Sequence, residues 1–414
     1  MKSTNKRFIT CPFCSLHCDD IEVEINSNKI KVLSEPIKNC TKKIEYFNIS
    51  DKSNLKPFYK NKSLNYREAI IKSRTLLDKS QDITIVNHGT DVNGVRSILN
   101  FATHHNCTVD HINSKYLFKN LGIVQRKGYM ATSLTEARNR CDVFLLFGKS
   151  ILKKSPRLID KVIFPEQSLC VKPKEKKLIL IGEFDKKTID ILAKNYSVRN
   201  IKVKINDIPQ LMELIQSKSM GKNENIRAIS NIISQSKYLV ASWSSSDLDI
   251  YENADDVISS ISDFILMRNK ENRAACMPIS GSLADATSSQ TMTWLTGYPS
   301  RVKFDGSKFI HDRNICDSEF IIENNHTDVV MHISTVGLEK IKLNKKVKNI
   351  VIGHPNTTYS SKPDIFIPVG IPGIDHKSIL FRTDNVVSLS LDKIRCMNLP
   401  SVKNIINDLL MVQD

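Results

Sequence analysis

Cysteines 11, 14 and 18 fall within the eight residues CPFCSLHC, and a fourth, Cys40, follows in KNCTKK, giving C-x2-C-x3-C-x21-C. Four thiolates suit a metal that takes four sulfur ligands, either zinc or a four-iron cluster. Zinc ribbons pair two C-x2-C knuckles across a gap. Here three ligands group together and the fourth, Cys40, stands alone, which is the grouping of cubane clusters. Pro12 stiffens the loop that would present Cys11, Cys14 and Cys18. Buried thiols without a metal are the remaining reading. Asp19 and Asp20 follow the loop at once and read as turn-capping carboxylates rather than an acid–base pair. Cys107, Cys141, Cys170, Cys276, Cys316 and Cys396 lie singly in apolar or helical contexts and read as packing residues.

Other candidates for chemistry are sparse. NHGTDVNGVRS (87–97) places Gly89 and Gly94 at a strand-to-helix turn, where amide groups could meet an anion, but it has neither dinucleotide nor P-loop spacing and reads as a plain connection. GSLADATSSQ (281–290) reads as a polar loop before a helix. His104 and His105 are neighbours near a helix end, point apart, and read as capping or solvated groups. No G-x-S-x-G elbow and no H-E-x-x-H helix is present, so the chain holds no self-contained catalytic constellation.

The elements that must position these residues alternate between strand and helix. LNYREAIIKSRTLLDKS (64–80) has apolar residues at helical spacing behind Ser63 as N-cap. DITIVNHG, CTVDHI, DVFLLFG, KLILIGE, IKVKI, KYLVASW, HTDVVMHIS, KNIVIGHP and PDIFIPVG read as short buried strands, most of them separated by helical segments. IEVEINSNKIKVL (21–33) reads as a hairpin about its NSN turn. Such alternation predicts an α/β fold of parallel sheets flanked by helices, plus a small β-rich cysteine region. The expected division is 1–56 for the cysteine region, a discontinuous α/β domain of 57–112 with 320–414, and an inserted α/β domain of 113–319. KSNLKPFYKNKS (52–63) reads as the linker between the first two.

Ten cysteines in 414 residues, four of them crowded at one end, do not make a disulfide framework and point to a reducing, cytoplasmic setting. MKSTNKRFITCPF has no apolar core, so no secretory signal is expected, and no apolar run reaches membrane-span length. The net charge is +16, yet the basic residues are scattered lysines with 7% aromatics, which excludes an Arg-rich nucleic-acid stripe. KPKEKK (172–177) and KIKLNKKVK (340–348) read as solvated segments. A basic surface of this kind suits an acidic protein partner or an anionic small molecule.

CPFCSLHCDDIEVE, with NC and lysines some twenty residues on, resembles the N-terminus of the formylmethanofuran dehydrogenase B-subunit family. SLTEARNRCDVFLLFG, SQTMTWLTGYPSRVKF and PDIFIPVGIPGID resemble later blocks of the same family in the same order, so the resemblance spans nearly the whole chain. It implies a formate dehydrogenase or molybdopterin-oxidoreductase-like fold. One branch of the family is a tungsten or molybdenum dehydrogenase, with a bis-pterin metal centre ligated by a cysteine or selenocysteine and a [4Fe–4S] cluster. The other is a formyltransferase/hydrolase complex that passes a formyl group from tetrahydromethanopterin to a furan carrier and hydrolyses it to formate, with the redox centre lost. The deciding segment is NSKYLFKN (113–120), which has no cysteine where the dehydrogenase carries its metal ligand. Neither Lys115 nor Tyr116 replaces a thiolate on a soft metal, and Cys107 sits too early. The family's lysine after the fourth cysteine is here Thr41, with Lys42 and Lys43 beyond it, and GIDHKSILFRTDNVV lacks the small Gly-Thr pair of the pterin approach.

The resemblance therefore implies a scaffold protein, itself without catalytic residues, beside the A, C and D sister subunits. It implies contact with a polyglutamylated furan carrier, a [4Fe–4S] cluster on Cys11, Cys14, Cys18 and Cys40, and no molybdopterin or tungstopterin. The redox-active dehydrogenase subunit is the alternative. Neither reading involves nucleic acid or a membrane.

Overall fold

The computed structural model describes residues 5–26, 28–34, 40–49, 55–217, 223–247, 254–280, 285–306, 308–336 and 339–411. The chain divides into two compact units, residues 1–114 with 282–414, and residues 115–281.

Five parallel strands form the middle of a nine-stranded sheet in the first unit: Cys107–His111, Ile83–Gly89, Val329–Ser334, Lys348–Gly353 and Ile365–Pro368, side by side in that order. Every residue of Val329–Ser334 is buried, which is why these strands read as unbroken apolar runs: each face is covered. Numbered along the chain the order is 2-1-3-4-5, so the first and third strands lie side by side and their connections leave in opposite directions. Helices Tyr66–Asp78, Val92–Ala102, Asp285–Thr296 and Val402–Met411 pack Ile70, Ile98, Met292 and Ile405 against one face. On the other face Val86 and Val330 meet Val347, Ile112 and Ile322.

An antiparallel hairpin closes each edge of this sheet. Val302–Asp305 and Lys308–His311 pair onto Cys107–Val109. Phe58–Tyr59 and Lys62–Ser63 pair onto Ile365–Phe366, turning through Lys60 and Asn61 at φ 44° and 75°, the mirror-image turn that matches strand twist. The segment expected as a linker is thus a sheet edge over the part that is described. The following helix starts two residues later than expected. Asn65, not Ser63, is the N-cap, accepting from Glu68 N–H at 2.9 Å while Glu68 Oε2 accepts from Asn65 N–H at 2.9 Å.

The N-terminal region is a three-stranded antiparallel sheet of Asn5–Ile9, Ile21–Asn26 and Lys29–Val32, with the expected hairpin between the last two. It is not packed as a separate body. Phe13, Val23, Ile30 and Phe47 share one core with Val336, Ile371, Ile374 and Ile394.

The second unit is built on five parallel strands in the order Val198–Ile201, Lys177–Ile181, Val143–Phe147, Tyr238–Trp243 and Arg273–Cys276, which is 3-2-1-4-5 along the chain. Helices Ile208–Gln216, Glu224–Ser234 and Ala254–Arg268 bury Met212, Ile229 and Ile261 against it. Its downstream edge is near 281 rather than the expected 319, because Val302–His311 belongs to the sheet of the first unit. IKVKI also shifts: the strand is Val198–Ile201, and Ile205 already begins a helical turn. Within KPKEKK, Lys176 is buried and donates to Arg138 O, and desolvation holds its ammonium down to about 8. Among the described residues no helix is long and apolar enough to cross a membrane.

Candidate functional site

The cysteine loop closes on itself. Cys11 N–H donates to Cys18 O at 2.8 Å and His17 N–H to Cys14 O at 2.9 Å, with His17 at φ 46°. Thr383 N–H donates to Ser15 O at 2.9 Å, and Phe13 stands edge-on to Phe47 with ring centroids 5.0 Å apart. Cys14 is buried; Cys11, Cys18 and Cys40 are half-buried. Burial, with Cys14 and Cys40 among its charge neighbours, pushes the Cys11 thiol up to about 12. A metal would therefore have to displace that proton, and binding would be steeply pH-dependent. The donor set fits a cluster or zinc in kind, four sulfurs with three on one closed loop. Among the described residues no group of three or more His, Cys, Asp or Glu is gathered to hold a metal ion. Asp19 is exposed and Asp20 half-buried beside the loop.

The segment expected to decide the chemistry passes directly from strand to helix. Cys107–His111 is buried throughout, and Ser114–Lys127 is helical. No cysteine lies between 108 and 140, and burial pushes the Cys107 thiol well up, so this stretch offers no sulfur to a metal. Residues 108–140 hold no thiol with which to ligate a pterin metal.

What lies at the end of that strand instead is a buried polar network that the sequence pattern does not reveal. Asp110 Oδ1 accepts from His111 N–H at 2.7 Å and Ser300 Oγ at 2.8 Å; Oδ2 accepts from Ser318 N–H at 3.0 Å and Ser318 Oγ at 2.8 Å. Arg301, at φ 56°, brings its Nε to 3.0 Å from Ser114 Oγ and pairs with Asp317 at 2.9 Å. His111 Nδ1 accepts from Asn113 N–H at 3.1 Å, which leaves the ring proton on Nε2, 3.1 Å from Asp285 Oδ1. Arg301 stands inside the TGYPSRVKF block, but nothing in its sequence context marks it as buried.

Two further pairings gather toward the same strand ends. His88 Nε2 and His332 Nδ1 are 3.0 Å apart. Burial holds the His332 ring down to about 4; burial, then the His332 and His111 rings, hold His88 well below the histidine range. Asp91 caps the helix Val92–Ala102, accepting from Gly94 N–H at 2.9 Å, so the chain's own carboxylate takes that amide, in keeping with the plain connection read at Gly89 and Gly94. Burial raises Asp91 and lowers His376, and each group opposes the other's shift. His104 caps the helix end through Asn100 O at 2.8 Å and His105 stacks on Phe101, so neither faces a site. Residues 281–284 of GSLADATSSQ lie outside the described residues; Thr287 and Ser288 are buried, accepting from Phe381 N–H and Asn87 Nδ2.

The buried histidines make stability depend on pH. A group whose folded pKa lies below its unfolded value binds fewer protons when folded, so its contribution is full above about pH 6.5, shrinks as pH falls, and levels off below the folded value. For His332 the window runs from 6.5 to about 4, worth about 3 kcal/mol. Urea unfolding at pH 7 and pH 5 should show the wild-type chain losing stability on acidification, with His332→Asn losing less; equal slopes would count against it.

In sequence the chain is 21% identical over 407 residues to the B-subunit of the tungsten-containing formylmethanofuran dehydrogenase 2 of Methanococcus maripaludis, a match covering 91% of each. To the protein of that name from Methanocaldococcus jannaschii it is 20% identical over 408 residues, covering 92% of each. No protein-family model matches the chain. In structure it aligns with a chain of the formyltransferase/hydrolase complex from Methylorubrum extorquens, crystallised with methylofuran. The TM-score is 0.71 at 15% identity, over 85% of this chain and 97% of that one, which shows a shared fold. The similarity in sequence to these formylmethanofuran dehydrogenase B-subunits spans nine-tenths of each chain and supports the resemblance read from the sequence blocks.

Proposed function

We propose that the chain is a non-catalytic scaffold, the B-subunit of a formyltransferase/hydrolase complex that converts formyl-tetrahydromethanopterin to formate by way of a methanofuran-type carrier. On this reading it keeps a formate dehydrogenase-like architecture without its redox site, since fold and site are separable. The observation that carries the reading is the sulfur-free passage from the strand Cys107–His111 into the helix Ser114–Lys127. A soft metal requires a thiolate or selenolate there, and the nearest thiols, Cys107 and Cys141, are buried with raised pKa.

Docking to the A, C and D sister subunits is supported by an exposed aromatic edge. Tyr298, Phe309 and Ile310 are exposed, Tyr298 stacks on His311 at 4.4 Å, and Lys308–His311 is the outermost strand of its sheet. The +16 charge suits acidic partners or the polyglutamyl tail of a furan carrier. We propose that Cys11, Cys14, Cys18 and Cys40 hold a [4Fe–4S] cluster that braces the N-terminal region, and that no molybdopterin or tungstopterin is bound. The second reading, a tungsten-dependent dehydrogenase subunit, is favoured by the names of the curated relatives.

Metal analysis of the complex purified through this chain without oxygen separates the two. The expected result is co-purifying sister subunits, about four irons per chain, and neither tungsten nor molybdenum. Stoichiometric tungsten or molybdenum would overturn the scaffold reading, as would a chain that purifies alone. Absence of iron would remove the cluster and leave the scaffold standing.

A further inference from the structure

In the 3-2-1-4-5 sheet of the second unit, the chain leaves strands Val143–Phe147 and Tyr238–Trp243 in opposite directions. The crevice beyond their carboxyl ends is where sheets of this order take anionic ligands. One wall is the turn Gly148-Lys149-Ser150, and the other is Ser244-Ser245-Ser246-Asp247. Gly148 is at φ 80°, and a Cβ there would lie 2.5 Å from Asp247 Oδ2, so only glycine allows this approach. Asp247 Oδ2 also accepts from Ser150 N–H at 3.1 Å, a contact made from 97 residues away. Lys154 donates to Ser246 Oγ; burial pushes the Asp247 carboxyl up, opposed by the Ser150 hydrogen bonds and then by the Lys154 and Lys149 charges. Ser245 is buried, and among the described residues its Oγ has no partner, while the Ser150 side chain acts on Asp247 as a hydrogen-bond donor.

The turn thus carries a bare glycine, a backbone N–H, lysines and two hydroxyl groups, the donors with which a turn cradles phosphate. The place of the phosphate is taken by a carboxylate of the chain itself. An aspartate capping its own helix is ordinary, as Asp91 does; Asp247 instead comes from the opposite wall of the crevice. We propose that Asp247 is a built-in anion that closes this crevice to phosphate-bearing ligands and holds the two strand ends together without a cofactor. This rests on the reading of a chain without pterin and deepens it by naming the residue that shuts the site.

The test uses the full chain with inorganic pyrophosphate and GDP as probes, read by calorimetry and thermal shift. Wild type is expected to show no saturable binding at about 1 mM probe. Asp247→Ser should bind pyrophosphate near one per chain, at least about tenfold tighter than wild type. Lys154→Gln in that background should remove the gain. Wild-type binding as tight as the variant's would overturn the proposal, as would a folded Asp247→Ser that gains nothing. Should Asp247→Ser not fold, Asp247→Asn keeps the shape, removes the charge and is judged by the same gain. The two readings fail separately. Tungsten or molybdenum in the purified complex defeats the reading without pterin, whereas a folded variant with no gain, in a complex free of both metals, defeats the role of Asp247 alone.

Discussion

Arg395→Leu is expected to lower the unfolding free energy by about 3–5 kcal/mol, the cost of leaving one charge of a buried pair alone. Arg395 and Asp375 are almost wholly buried and joined twice, Nε to Oδ1 at 2.7 Å and Nη2 to Oδ2 at 3.0 Å. Arg395 also donates from Nη1 to Phe47 O at 2.7 Å, and Asp375 Oδ2 accepts from Ile371 N–H at 2.8 Å. The pair therefore ties the turn after Cys40 to the segment near the C-terminus, inside the core formed by Phe13, Phe47, Ile371 and Ile374. With the guanidinium gone, the carboxylate stays in an apolar setting with one backbone donor. Removing both members with Arg395→Leu and Asp375→Leu should cost less than Arg395→Leu alone, because no charge is then stranded. Urea unfolding of the three chains measures this. A companion readout is the labelling rate of Cys11, Cys14, Cys18 and Cys40, which should rise as Phe47 loosens from Phe13. A single-variant loss below about 1 kcal/mol, with unchanged labelling, would show the pair to be dispensable.

The second large effect is expected at Asp110. Its two oxygens accept four hydrogen bonds from His111, Ser300 and Ser318, and the Arg301 guanidinium lies 3.8 Å away. Asp110→Ala strands the Ser300 and Ser318 donors, though His111 N–H keeps Ser300 Oγ at 3.0 Å, and leaves the buried Arg301 paired with Asp317, which should cost about 3–5 kcal/mol. Asp110→Asn keeps the shape but makes half of the acceptor a donor, and should fall between Ala and wild type. A double cycle with Arg301→Gln isolates the charge coupling; additive losses would mean that Asp110 acts through its hydrogen bonds alone. Near-wild-type stability in Asp110→Ala would show that the network is not what anchors the end of the strand Cys107–His111.

Some features were legible in the residues and some were not. DVFLLFG and KYLVASW announce buried strands because both faces of a parallel sheet are covered, so the pattern is local and strong. The absence of a thiol between 108 and 140 is likewise a plain property of the sequence. Phe58–Tyr59 was hidden because its signal, a two-residue turn at Lys60 and Asn61, uses residues without the usual glycine. The early end of the second unit, near 281, was hidden because Val302–His311 has the look of any short strand, and only its partner, Cys107–Val109, reveals which sheet it joins.

The sequence by itself determined the α/β class, most of the buried parallel strands, the grouping of the cysteines and the absence of a thiol between 108 and 140, since each depends on residues within a few positions of one another. The tertiary structure alone decided which polar groups meet. His88 finds His332 across 244 residues, Asp110 finds Ser300 across 190, and Asp247 reaches Ser150 across 97. None of these pairs has a local pattern. Each is made by strand order, which brings the carboxyl ends of strands distant in sequence to the same edge of a sheet, where buried polar groups must find partners or remain costly.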